Sequence, residues 1–439
     1  MTLELAHPST EPLGMRSAAE PAHPRWWFIS TTPGRILTIG IILAALGVSS
    51  AFATSTTITH RQQVLSTVLN HTEPLASSAG RLYTTLSVAD AAAATVFIAQ
   101  ADPRNVRLRY EQAITDAAAA VTRTSSGLTD DSQVELLSRI NAELAVYTGL
   151  VEIARTNNRG GNPVGSSYLS EASGLMQGTI LPEAQQLYQA TSKRVDEETT
   201  ASTQFPAPVI LVVACTMIFG AFAYRWLAQR TRRRINPGLL IGGLAIVIMV
   251  FWVGTALAIS TTASRSAKHT AAESLRTVTD LAITAQQARA DETLSLIRRW
   301  DEEARKKSFR ERTDAMHRQL EAYLSRSDAV DKSDLTGAGA LLTQWQQAND
   351  RINSLIAVGN YRAATVIALG SADGDSTPAF DQLEDALSKS MAQSRALLRT
   401  DISNARGGLS GAQVGGVVLS LGGALAVALG LWPRLKEYR

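Results

Sequence analysis

The side chains of this 439-residue chain that could do chemistry are few and poorly spaced for it. His7, His23, His60, His71, His269 and His317 form no i,i+4 pair and neighbour no carboxylate cluster, the spacing by which one helix face holds a metal. A single cysteine, Cys215, excludes an intrachain disulfide and any zinc site built on thiolates. GxGxxG, GxxxxGK[ST], HExxH and GxSxG are all missing, so phosphate cradling, zinc hydrolysis and a nucleophile elbow have no motif here. Asp373-Gly374-Asp375 with Glu384 twelfth in line has the outline of a calcium loop, but its sixth position is Pro378 where the turn needs glycine. Thr377-Pro378 reads better as a helix N-cap followed by the first helical residue. The expectation is a protein that is not an enzyme and has no cofactor or metal.

Two charged clusters remain. Residues 298–312, RRWDEEARKKSFRER, hold eleven charges in fifteen positions. They read either as a solvated helical hairpin laced by i,i+4 pairs or as a docking surface. Arg230, Arg232, Arg233 and Arg234 crowd a ten-residue connection; they are topology determinants first and candidate contacts for a cytoplasmic partner second.

The elements that position these clusters follow from the apolar runs. Four windows, 36–59, 199–224, 235–264 and 407–433, contain no Asp, Glu, Lys or Arg. A helix needs about 20 apolar residues to cross the hydrocarbon core, so all four qualify as spans. Ala51-Phe52-Ala53 would suit a signal-peptide cleavage site, but cleavage would leave an odd number of spans. The resulting boundaries are a cytoplasmic tail over 1–34, spans over 35–59, 207–226, 237–260 and 409–432, a basic inner connection over 227–236 and a cytoplasmic tail over 433–439. Two large segments, 60–206 and 261–408, are extracytoplasmic. The short pieces, counted out to the charge-free windows and so including Arg35 and Arg225, carry eleven basic and four acidic residues, the segment 60–206 has 11 basic and 15 acidic, and 265–406 has 20 of each. The formal +3 is therefore a net +7 on one side, which the positive-inside rule makes cytoplasmic, and not a nucleic-acid footprint.

Both outer segments read as helices. Leu65, Thr72, Ala79, Leu86 and Ala93 interleave at 3-4 spacing with Val68, Leu75, Leu82, Ala89 and Val96, the seam of a long bundled helix interrupted only by Pro74. Further helices are expected near 104–125, 131–157 and 182–205, then near 265–307, 309–326, 334–357 and 378–406. At an offset of 201, Ala89-Asp90 corresponds to Ala290-Asp291, and Ile140, Leu144, Tyr147, Val151 and Ala154 correspond to Leu341, Trp345, Ala348, Ile352 and Leu355. With the shared plan of span, outer segment and span, this suggests duplication. The fold class is an all-α membrane protein: four transmembrane helices with two tandem extracytoplasmic four-helix-bundle, sensor-like domains. In such a course the turns near 101–105 and 300–309, with the irregular connections 156–181 and 358–377, lie far from the bilayer. This distal tip nominates Asp102, Arg104, Tyr168, Arg299, Glu302, Arg305 and Lys306 for partner docking.

Four stretches, TLELAHPSTEPLG, PRWWFISTTPGRILTIGI, LYTTLSVADAAAATVFIAQ and YTGLVEIARTNNRGGNPVGSSYLSEASGLMQ, carry a resemblance over the whole chain to the GlnX family of four-span actinobacterial membrane proteins. The resemblance implies a relay in which the amino-acid-binding lipoprotein GlnH acts outside and the Ser/Thr kinase PknG responds inside. It transfers no ligand or catalytic residue. Two other readings stay open, a direct receptor whose own helices bind a small molecule and a transport or structural accessory; homo-oligomerisation also stays open.

Overall fold

Apolar residues at 3-4 spacing form helices because one stripe can then be buried, and the regular elements among the described residues are all helical. The computed structural model describes residues 32–98, 104–202, 207–231, 237–296, 302–330 and 332–436. In chain order the helices are α1 (Thr32–Thr67), α2 (Glu73–Ile98), α3 (Arg104–Ser125), α4 (Asp131–Arg159), α5 (Val164–Leu175), α6 (Leu181–Ser202), α7 (Ala207–Thr231), α8 (Pro237–Ser266), α9 (Glu273–Ser295), α10 (Glu302–Ser325), α11 (Ala338–Ala357), α12 (Tyr361–Leu369) and α13 (Ser376–Lys436). Single π-helical turns at Val68–Thr72, Met176–Ile180 and Ala267–Ala272 join α1 to α2, α5 to α6 and α8 to α9. The first two sit just before Pro74 and Pro182, where a missing N–H and a bulky ring require a wider turn; the third has no proline. Local chemistry sets several ends. Asp130 caps α4 by accepting the Ser132 N–H at 2.9 Å, Asn360 caps α12 by accepting that of Ala363 at 3.2 Å, and Gly161, with φ 69°, turns the chain out of α4.

Three expectations are corrected. The connection 156–181 is mostly helix, because α5 fills it, and 358–377 likewise holds α12. The helix expected to run to 307 ends at Ser295, and the next begins at Glu302. α13 starts at Ser376, one residue before the expected cap, where the Asp375 carboxylate accepts the Ala372 N–H at 2.9 Å.

The chain divides into two compact units. One comprises Met1–Phe52, Ile210–Met249 and Val418–Arg439. Its helices are long and apolar enough to cross a membrane, and they leave Phe52, Ile218, Phe222, Leu425 and Leu429 largely bare. Small residues let these helices approach: Ser50 and Thr216 share a hydrogen bond at 3.1 Å, and a Cβ on Gly423 would stand 3.3 Å from that of Ala245.

The other unit, Ala53–Val209 with Val250–Val417, holds the polar helices of both halves. Both halves belong to this one unit, with distinct cores; α2 packs against α9, and Ile283 of α9 joins the first core. In the first half α2 packs on α3 and α6, and α4 on α5 and α6. All ten seam residues from Leu65 to Val96 are buried. The second core closes on Trp345, whose ring meets Phe309 edge-on and Phe380 at a tilt, each with centroids 5.1 Å apart. Ile140, Leu144, Tyr147, Val151 and Ala154 are buried on α4, and their counterparts from Leu341 to Leu355 lie on the inward face of α11.

Glycine placement predicts an asymmetry in α13. Gly423→Ile should lower the stability of the full chain by about 1–3 kcal/mol through overpacking against α8, whereas Gly422→Ile, with nothing within 4 Å, should leave it nearly unchanged. Denaturant unfolding of both variants in the same detergent checks this; equal effects would remove the packing role.

Candidate functional site

Of the residues nominated at the distal tip, Arg104, Tyr168, Glu302, Arg305 and Lys306 lie among the described residues. Asp102 and Arg299 lie outside the described residues, as do Arg232, Arg233 and Arg234. Glu302 begins α10 and Arg230 lies near the end of α7. Arg104 is exposed in the first turn of α3, while Tyr168 on α5 packs against the first core. Within the charged run Lys307 and Arg310 are exposed, whereas Arg305 and Lys306 face inward. The Arg305 side chain is 18% exposed and donates to Asp291 at 2.9 Å; Lys306 is 17% exposed and reaches Glu303 at 3.2 Å.

What the polar residues do assemble is a pair of buried acidic centres on α2 and α9. Asp90, 2% exposed, is the only charged residue between Arg81 and Asp102, on the flank of an otherwise apolar seam. Neutral groups hold it. Gln177 donates to it at 2.8 Å, Ser173 at 3.1 Å and the Tyr147 hydroxyl at 3.5 Å. Burial without an adjacent cation pushes its pKa up to about 6, and the three hydrogen bonds and the more distant Arg305 only partly offset that. Asp291, its counterpart at the 201 offset, is equally buried but held by cations, Arg305 and Arg312 at 2.9 Å each, with Ser308 at 2.6 Å. Beside it Glu292, 1% exposed, pairs with Arg289 and accepts from Ser376 at 2.7 Å, Trp345 at 3.2 Å and Asn349 at 3.3 Å. The sequence singled out the two aspartates only as a repeat; the unaccompanied acid in LSVADAAAATVF was the signal that one of them is buried.

Between the halves runs a charged seam. Arg109 of α3 reaches Asp381 at 3.3 Å and Glu384 at 3.1 Å on α13; Glu73 at the start of α2 meets Arg395 at 3.3 Å and Arg399 at 3.6 Å. The Tyr83 hydroxyl accepts from Gln287, which in turn accepts from Arg312. Burial raises the pKa of Glu73, and Arg395 and Arg399 pull it back; burial also raises that of Glu384, against the pull of Arg109. Gly80 lets α2 approach the Tyr188 ring, since a Cβ there would stand 3.2 Å from it. Alongside this contact the halves enclose a cavity of about 750 Å³, walled by α2, α3 and α6 on one side and α9 and α13 on the other. The sequence reading did not find this cavity, because its walls come from positions more than 190 residues apart, such as Arg81 and Arg276.

Asp90 gives the first half a pH dependence whose sign is fixed. Its folded pKa exceeds its ordinary 3.8, so the stability tied to its protonated form is full below about pH 4 and is lost as pH rises through about 6. Asp90→Asn should therefore raise the midpoint of thermal unfolding at pH 7 and flatten the change between pH 4 and 6, relative to the unsubstituted chain. A variant with the same pH slope as the parent would show that Asp90 is not the group responsible.

No curated protein and no solved structure matches the chain. Residues 64–200, from the last turn of α1 through α6, match the family model of the actinobacterial sensor domain, so that the half built around Asp90 is similar to a sensing module and a sensing or signalling role follows for the protein.

Proposed function

We propose that the chain is a multi-pass plasma-membrane signalling adaptor, not an enzyme, with α1, α7, α8 and the C-terminal part of α13 crossing the bilayer, both termini inside and the polar helices outside. The split of charge into a basic inner +7 and outer segments at −4 and zero supports this orientation. The observation that carries the signalling reading is helix continuity. α13 runs unbroken for 61 residues from the second polar half to Lys436, and α1 and α8 pass into α2 and α9 through single π turns. A shift of roughly 1–2 Å or a small rotation at the outer end of such a helix is transmitted along it, and a coupling of about 1–3 kcal/mol is enough to change a partner's affinity.

The resemblance to the GlnX family supplies the partners of this reading. Amino-acid-loaded GlnH docks outside on the segment ends that carry Arg104, Tyr168, Glu302 and Lys306, together with Asp102 and Arg299, and PknG responds inside through Arg230, Arg232, Arg233 and Arg234. The second reading, direct binding of a small molecule, is favoured by the cavity between the halves.

Capture of GlnH by the immobilised full chain, with and without glutamate, tests the outer step. Arg104→Glu combined with Lys306→Glu should weaken capture about tenfold or more. Unchanged capture would rule out docking at these residues. For the inner step, replacing the four arginines of 230–234 by glutamine should abolish the response of PknG-substrate phosphorylation to external aspartate or glutamate. A response that persists in cells lacking the chain altogether would set the relay aside.

A further inference from the structure

The cavity between the halves is lined by both signs of charge, Asp116, Arg123 and Glu273 among them, and at two corners the signs are locally unequal. At one corner Glu73 pairs with Arg395 at 3.3 Å and with Arg399 at 3.6 Å, and Arg81 lies within electrostatic reach of Arg395. The Arg81 side chain has no hydrogen bond or ion pair among the described residues, and its repulsion of Arg395 adds to the burial that holds the Arg395 pKa below its usual value. The Arg395 Nε and Glu73 Oε1 atoms are both buried without a hydrogen bond, although they approach to 3.3 Å. The corner thus holds more positive than negative charge, with the Arg81 guanidinium unpaired, the arrangement that receives a carboxylate.

The second corner has the opposite imbalance. Arg276 lies 3.8 Å from Asp196 and is also the cation nearest Asp280 in electrostatic effect, so two carboxylates share one guanidinium. The carboxylate of Asp280, half-buried on α9, accepts no hydrogen bond among the described residues. Burial raises its pKa against the pull of Arg276, as expected of an acid awaiting a partner. The Tyr188 hydroxyl is within electrostatic reach of Asp280 and Arg276 and also of Arg395, which places both corners around one ring. The cavity volume falls in the range of small-molecule sites, roughly 300–1,000 Å³.

We infer that this cavity is a binding site for a small zwitterion bearing a carboxylate and an ammonium, an α-amino acid in chemical class, with the carboxylate at Arg81 and Arg395 and the ammonium at Asp280. A pure anion would answer only the first corner and leave Asp280 unpaired; a pure cation would do the reverse. Because both halves supply charges, an occupied site ties α2 to α9 and α13. The inference goes beyond the relay reading, since it requires neither GlnH nor PknG.

Isothermal titration calorimetry on the full chain in detergent micelles, with no other protein present, tests it. The probes are the twenty standard α-amino acids singly, succinate as a carboxylate without an ammonium, and 1,4-diaminobutane as the reverse. At least one amino acid should bind at about one per chain, with succinate and the diamine at least about tenfold weaker. Arg81→Gln, at an exposed position, and Asp280→Asn should each weaken that binding at least about tenfold. Ser77→Trp, which fills the cavity, should abolish it, and the unfolding midpoint of each variant shows that it still folds. Absence of heat with every amino acid, equal binding of succinate or the diamine, or indifference to Arg81→Gln would each overturn the inference. GlnH capture is a separate measurement, so either result can fail without the other.

Discussion

The packing of α2 against α9 is the contact on which the rest of the polar unit depends. Each is the first polar helix of its half, and each follows a π turn that re-aims the chain as it leaves an apolar helix. Small residues make the approach: Gly80 admits the Tyr188 ring, and the alanines around positions 79, 89, 282 and 285 are buried with little side chain to separate the backbones. Once the two helices touch, Ile283 joins the neighbouring core, Gln287 bridges Tyr83 to Arg312, and the flanking helices α3, α6 and α13 bring their charges to a common seam.

Two kinds of polar group lie near this contact, and their energetics differ. Asp90 is buried among neutral donors, so the protein retains an acid that is costly to ionise. Asp291 and Glu292 are buried with guanidiniums and a full set of donors, an arrangement that loses much if one partner is removed and adds little net stability when intact. The same 201-residue offset therefore yields a neutral cradle in one half and an ion-pair network in the other.

The charged seam is softer than either core. Its Arg109 pair with Asp381 is half-exposed, each side chain more than two-fifths accessible, and such pairs contribute roughly 0–1 kcal/mol, whereas Glu73 meets Arg395 and Arg399 with its own side chain buried. A joint made of weak pairs beside a polar cavity can open or close at small cost, whereas the Trp345 cluster and the Leu82–Tyr83–Leu86 stripe of α2 cannot shift without losing buried apolar contact. A signal-sensitive element is expected where stability is low, and in this unit that is the seam between the halves.

What the sequence determined by itself was the periodic part. The ten-residue seam from Leu65 to Val96 and the four charge-free apolar windows follow from local spacing, because helix formation and burial of one stripe are decided within a few turns. The candidate site was less legible. The turns expected at 156–181 and 358–377 proved helical because loop-forming residues such as Gly160, Gly161 and Gly359 mark only the ends of short helices, not the whole connection. Arg305 looked like one charge of a solvated run, and only its meeting with Asp291, fourteen residues earlier on another helix, shows it paired. The cavity, its two corners of opposite charge and the union of the halves in one unit were decided by tertiary structure alone. Helix-to-helix contact joins residues with no fixed separation in the chain, and an imbalance of charge exists only once those residues are side by side.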